Sequence, residues 1–264
     1  MIVSTYHAHS TYSDGKNTLE EMVQAAIKCR MKEIGFTDHA PMTFYCDWSM
    51  DEKNVPSYKN EILALKEKYK DHIKIYLGIE QDYYSIPADP NYDFILGSVH
   101  YVYKNGEYLP VDLSASAMND FVNKHYNGDV YAYCENYFKL VGDIYEKTKC
   151  HIIGHFDLVT KFNERLPMID INNPRYVKAY TEALNKLLKS PAIFEINTGA
   201  ISRGYRTSPY PDNNMIDIIA KAGKPFAICS DTHNTGSIAC SLEIEREKLD
   251  RQGYSYIKSL SEIL

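Results

Sequence analysis

Between residues 73 and 100 the chain reads IKIYLGIEQDYYSIPADPNYDFILGSVH. Two short apolar, β-branched runs, 73–79 and 94–99, read as strands, and the Pro/Asn-rich IPADPNY between them reads as a surface loop. Each strand delivers a chemically able side chain at its end: Glu80 after LGI, His100 after LGSV. Outward from this pair the pattern recurs. Strands are expected at 2–6 (IVSTY), 33–37 (EIGFT), 150–154 (CHIIG), 192–197 (AIFEIN) and 226–230 (FAICS). Amphipathic helices are expected between them, at 18–30, 55–71, 129–149, 173–189, 212–222 and 241–252. In the first helix Leu19, Met22, Val23, Ala26 and Ile27 recur at helical spacing, and Thr18 with Glu21 makes a capping box. The stretches LPMIDINNP and SPYPDNN read as loops. Alternating β and α units predict a mainly parallel sheet, wound open or closed as a barrel. No repeat, low-complexity tract or interdomain linker interrupts them, so residues 1–264 are read as one α/β domain.

Composition narrows the function classes. A hydrophobic content of 44% and a charged content of 24% exclude bulk disorder. The net charge of −6 argues against a polymeric nucleic-acid partner. No apolar run approaches ~18 residues, so no membrane span is expected, and MIVSTYHAHSTY lacks the basic region of a signal peptide. Six dispersed cysteines without a CxxC pair predict free thiols in a reducing cytoplasm.

Six of the nine histidines stand at expected strand ends. His7 and His9 close the first strand as HAH, two apart and on one face. His39 ends GFTDH, His100 ends LGSVH and His155 ends IIGH. Asp231 and His233 follow the last strand as SDTH, again two apart. Asp14 lies just past the first strand, and Glu80 ends the third. The sixth strand differs, ending in NTGAISRG with Arg203. Alone, each of these has an ordinary reading: a solvent-facing HxH, a salt-bridged Glu80, a His155 bonded to backbone. In a parallel barrel, however, every strand end faces one mouth, where such folds build their active sites. First and last strands are then neighbours, so HxH and DxH face each other. Neutral imidazoles with three carboxylates make a ligand set for Zn, Fe or Mn. His72, His125 and His151 fall on helices or strand starts and read as structural or exposed.

The ordered set His7-Ala8-His9, Asp14, Thr37-Asp38-His39, Gly78-Ile79-Glu80, Ser98-Val99-His100, Gly154-His155-Phe156-Asp157 and Ser230-Asp231-Thr232-His233 resembles the polymerase-and-histidinol-phosphatase (PHP) superfamily. With Ala40-Pro41 after TDH, the chain is similar to the family's histidinol-phosphate phosphatase branch. The resemblance implies a distorted seven-stranded (β/α) barrel, TIM-like and a single domain. It implies three divalent metal ions: His7, His9 and Asp231 on the first, Glu80 bridging to a second completed by His100 and His155, and Asp14, His39 and His233 on the third. It implies hydrolysis of L-histidinol phosphate to L-histidinol and phosphate, a step of histidine biosynthesis, with a metal-bridging water as nucleophile.

In that chemistry the ions outweigh the three carboxylates, which favours a dianionic phosphomonoester. Arg203 suits the phosphate oxygens, with Arg206 and Lys161 as further candidates for binding substrate. The leaving alkoxide takes its proton from His233, Asp231 or water. Asp157, Thr37 and Asp38 are candidates for orienting ligands, Asp38 alternatively for capping a helix. Tyr12, Trp48 and Tyr205 are loop residues able to pack on an imidazole, and Cys229 reads as a core thiol. A nucleotide phosphatase or exonuclease with the same metal centre is the alternative. A degenerate barrel that uses its metals structurally, as a binding module, would have lost several ligand positions, and all are filled here. GxSxG, HExxH, P-loop and GxGxxG motifs are absent.

Overall fold

The structure is a computed structural model that describes residues 4–264. Its elements in chain order are β1 (Ser4–Thr5), α1 (Leu19–Lys28), β2 (Glu33–Phe36), α2 (Val55–Lys68), β3 (Lys74–Asp82), β4 (Phe94–Ser98), β5 (Tyr101–Lys104), β6 (Glu107–Pro110), α3 (Ala115–Tyr126), α4 (Val130–Thr148), β7 (Ile152–Ile153), α5 (Pro174–Leu187), β8 (Ile193–Asn197), α6 (Gly199–Ser202), α7 (Asn213–Lys221), β9 (Phe226–Cys229) and α8 (Leu242–Gln252). Each expected strand and helix is present. The first strand, expected over 2–6, lies partly outside the described residues.

Seven strands form one sheet in the order β1-β2-β3-β4-β7-β8-β9, every pair parallel. The sheet curls until its ends meet at the mouth: Ala8 bridges Thr232, and the His9 amide donates to the Thr232 carbonyl at 2.9 Å. This is the TIM-like β/α barrel implied by the family resemblance, nearly closed. Side chains of Tyr6, Tyr76, Phe94, Leu96, Ile152, Ile193 and Ala227 make one buried cluster. Gly78 is what gives Phe94 its place, since a Cβ there would lie 2.4 Å from the Phe94 ring. Two further clusters bury the helices, one around α1 and α2, the other around α4 and α5.

Local chemistry sets the helix ends. Thr18 and Glu21 form the expected capping box of α1. Asp129 caps α4 by accepting from the Tyr131 and Ala132 amides; such a cap contributes about 1 kcal/mol.

The structure departs from the sequence reading in β3 and in the segment between β4 and α4. β3 continues to Asp82, so Glu80 lies within the strand and not beyond it. Between β4 and α4, α3 and an antiparallel β5–β6 hairpin are inserted. The hairpin turns on Asn105 and Gly106, both at positive φ (50° and 85°), which suits a right-twisted two-residue turn.

Candidate metal centre

The C-terminal halves of the strands and the loops after them bring all nine expected ligands to one place. Glu80 lies at the middle. Its Oε2 is 2.8 Å from His39 Nδ1, 3.2 Å from His7 Nε2 and 3.6 Å from His9 Nε2. Its Oε1 is 3.0 Å from His155 Nε2 and 3.6 Å from His100 Nε2, and accepts from Ser98 Oγ at 2.6 Å. Asp231 Oδ1 lies 3.5 Å from His9 Nε2 and 3.8 Å from His7 Nε2. Asp14, at the solvent edge, lies 3.2 Å from His233 Nε2 and 3.6 Å from His39 Nε2.

Four sets of ligand atoms each fall within 4.8 Å: His9 with Asp14, His39 and His233; His7 with His9 and Asp231; His7 with Glu80 and His155; and His39 with Glu80 and His100. Two match the sets implied by the family resemblance, His9 joining the set of Asp14, His39 and His233. The remaining one divides, because His100 and His155 approach Glu80 Oε1 from different neighbours.

The donor chemistry fits divalent cations. Among the described residues, His7 Nε2, both nitrogens of His9 and His155 Nδ1 are buried without a hydrogen-bond partner. Leaving a buried polar atom unmet costs about 1–3 kcal/mol, which a shared cation removes. Burial alone would push the Glu80 carboxyl up, but His7, His39 and His100 hold it well below the usual carboxylate range. Asp231 is likewise opposed by burial, and Arg203 and His7 bring it well below its usual value. Burial, with the like charges of His233 and His39, pushes His9 down to about 3, so its imidazole is neutral at pH 7. Asp231 holds left-handed backbone, at φ 46°, the kind of unfavourable conformation that persists where surrounding structure fixes it.

An outer layer escaped the sequence reading. Glu195 is buried inside β8; its Oε1 lies 2.7 Å from His7 Nδ1, and its Oε2 accepts from the His155 amide at 2.8 Å and from Asn197 Nδ2 at 2.9 Å. A carboxylate on Nδ1 presents Nε2 to the centre and fixes the tautomer. Asp82 serves His100 in the same way, accepting from its amide at 2.6 Å with Nδ1 at 3.3 Å. The available signal was a Glu flanked by apolar residues in AIFEIN, because a buried carboxylate needs partners.

The remaining candidates are sorted by position. Arg203, about one-third exposed, donates from Nη2 to Asp231 Oδ2 at 3.0 Å, and its Nη1 lies 3.1 Å from His233 Nδ1. Gly199 makes room for this pair, since a Cβ there would lie 2.5 Å from Asp231 Oδ2. Lys161 Nζ donates to Asp112 Oδ2 at 2.9 Å. Arg206 is buried and committed: it donates to Thr160 Oγ1 at 2.6 Å, lies 3.5 Å from Asp157 Oδ2 and covers the Tyr210 ring. That guanidinium is taken up by packing, and Asp157 faces it instead of an imidazole. Asp38 caps no helix; it accepts from the amides and hydroxyls of Ser10 and Ser13, fixing the loop that carries Asp14. The Thr37 hydroxyl meets no partner among the described residues. Tyr12 packs on Tyr58 and donates to Glu61, and Tyr205 packs on Phe162, both away from the imidazoles. Trp48 does lie against them, 4.4 Å from His39 and 5.3 Å from His100 between ring centroids. Cys229 is a buried thiol of β9. His151 accepts from the Ile95 amide, His125 is buried beside Glu107 and His72 is exposed.

Comparison with known proteins agrees with this architecture. The Probable histidinol-phosphatase of Schizosaccharomyces pombe is 26% identical over 94% of this chain and 86% of its own length. The histidinol-phosphatase of Bacillus subtilis is 24% identical over 92% of this chain and 97% of its own. A solved histidinol phosphate phosphatase of Lactococcus lactis, complexed with zinc, L-histidinol and phosphate, superposes with a TM-score of 0.72. It is 22% identical, covering 97% of this chain and 95% of its own. The family model described as PHP domain matches residues 5–199. Arg203, Asp231 and His233 lie past that span, yet β9 and the loop after β8 carry them back to the same mouth. The chain belongs to the PHP domain family.

Proposed function

We propose that this protein is a metal-dependent phosphomonoesterase that hydrolyses L-histidinol phosphate to L-histidinol and phosphate at a centre of three divalent ions, Zn, Fe or Mn. The observation that carries the reading is Glu80, a buried carboxylate facing five imidazoles across two oxygens. Its support comes also from relatives named histidinol-phosphatases that align along nearly the whole chain.

His7, His9 and Asp231, with Glu80 shared, would hold one ion. His100 and His155 would complete a second on Glu80, and Asp14, His39 and His233 a third. When bound, the ions supply the acidity that deprotonates a water near neutral pH and the positive charge that a phosphate dianion needs. The protein's own groups do the rest. Arg203 sits at the rim with part of its guanidinium exposed, where its planar fork can take two phosphate oxygens. Lys161 is the further candidate for phosphate, held at 2.9 Å by Asp112, which it would have to share with an incoming anion. The leaving alkoxide would take its proton from water, Asp231 or His233 at the solvent edge, where His233 Nδ1 lies 3.6 Å from Asp231 Oδ1. Arg206 supports the site through Thr160 and Asp157 and leaves phosphate binding to Arg203 and Lys161. The six unpaired cysteines suit a reducing cytoplasm.

The test is phosphate release by metal-loaded protein from L-histidinol phosphate, nucleoside monophosphates and single-stranded DNA. The reading requires preference for histidinol phosphate. Faster turnover of a nucleotide or of DNA would reassign the substrate, and no hydrolysis with any divalent metal would end the reading.

A further inference from the structure

The cluster's imidazoles are not all aimed in the same way. His7 is held from outside by Glu195 and His100 by Asp82. His233 Nδ1 faces the Asp231 carbonyl at 3.2 Å and the Arg203 guanidinium. His39 has no such outer partner: Nδ1 faces Glu80 at 2.8 Å and Nε2 faces Asp14 at 3.6 Å, so both nitrogens point into the cluster. With both nitrogens turned inward, the support this ring receives from outside the cluster comes from what touches its faces and carbon edges.

Those contacts are aromatic. The His39 ring lies between His9, at 4.3 Å and 36°, and Trp48, at 4.4 Å and 69°. Trp48 also touches His100 edge-on at 5.3 Å. The indole is itself fixed, since Nε1 donates to the Tyr101 hydroxyl at 3.2 Å and its plane lies within 9° of the Tyr101 ring. Tyr101 opens β5, directly after His100, and packs against Phe44 from the loop that carries Trp48.

We infer that Trp48 is a positioning residue for the metal centre, an aromatic wall that orients His39 where His7, His100 and His233 use a carboxylate or carbonyl. The inference rests on the proposed metal centre and not on the identity of the substrate. It has a direct readout, because Trp48 is the single tryptophan of the chain, so intrinsic tryptophan emission reports the one indole that lies beside His39 and His100.

The experiment titrates zinc or manganese into metal-stripped protein, following tryptophan fluorescence and bound metal together. In the wild type the emission changes as the ion held by His39 binds. W48A and W48L keep the fold, checked by circular dichroism, and lose about tenfold in affinity for one ion while the others bind as before, the scale at which supporting groups act on metal sites. W48F, which keeps a ring against His39, restores most of that affinity. At limiting metal W48A turns over slowly, and excess metal brings it back. Unchanged affinity in both W48A and W48L, or wild-type emission indifferent to full loading, overturns the clamp and leaves the proposed function standing. A wild-type protein that takes up no metal overturns the metal centre itself.

Discussion

Glu80 and Glu195 hold the centre from opposite sides, and their substitutions separate binding a cation from aiming a ligand. Glu80→Gln removes a charge and an acceptor oxygen from a carboxylate that faces His7, His9, His39, His100 and His155. The variant is expected to lose at least one ion by elemental analysis and roughly 10–100-fold or more in turnover. Normal metal content with normal turnover would show that Glu80 bridges nothing. Glu195→Gln touches no ion; it offers His7 Nδ1 an amide in place of an anion, so the tautomer presenting Nε2 inward loses its support. Metal affinity should fall about 10–100-fold with the melting profile little changed, and chelator competition measures it. Most candidate ligands were legible in the sequence because they stand at or just past strand ends, where parallel topology gathers distant residues without further information. Glu195, Asp82 and the commitment of Arg206 were not. They depend on which side chains meet across neighbouring strands and loops, and a carboxylate or guanidinium reads alike whether it faces substrate, ligand or Thr160.

At the scale of elements, the strands and the barrel helices were legible because their periods differ and their caps are local, as Thr18 and Glu21 show. The β5–β6 hairpin was missed although YVYKNGEYLP carries an Asn-Gly turn, because its four-residue strands are too short to stand out as apolar runs. That hairpin matters to the site through Tyr101, which anchors Trp48. Pairing of α4 with α5 depends instead on a close approach at Gly142, where a Cβ would lie 3.2 Å from Ala183 Cα. Gly142→Leu therefore wedges the helices apart, and overpacking of this kind costs about 1–3 kcal/mol. Urea unfolding should show the lowered midpoint. Bound metal should stay at the wild-type level, since α4 and α5 cover the outside of the barrel; a variant that also lost metal would show that this packing sets the spacing of the strand ends.

For the molecule as a whole, the two ends of the barrel are closed by different chemistry. At the end away from the mouth, the Glu33 carboxylate gathers donors from the Tyr6 hydroxyl at 2.6 Å, Ser259 Oγ at 2.7 Å and the Leu260 amide at 3.1 Å, while Ile257 and Leu260 join the buried cluster. Ending the chain at residue 256 would strip Glu33 of two donors and remove two buried side chains, worth about 1.5–3 kcal/mol each, a large part of a typical domain's stability of about 5–15 kcal/mol. The truncated chain should melt well below the full one whether or not metal is present. At the mouth, the closing force is expected to come from cations. Binding to the folded state alone stabilises it, by about 2.7 kcal/mol for a ligand at 100 times its Kd. The ions need neutral imidazoles and ionised carboxylates, so protons compete with them. As pH falls through the ordinary histidine value of about 6.5, imidazoles of the unfolded chain increasingly hold protons, so acid favours that state against the metal-bound fold. The metal-dependent gain in stability therefore shrinks with acid and is largest above neutrality. Scanning calorimetry with and without chelator at pH 7.5 and 5.5 should give a wide gap between melting temperatures at the higher pH and a narrow one at the lower. Equal gaps at the two pH values would mean that the cations stabilising this fold are not held by imidazole, and the convergence of strand ends would then need another purpose.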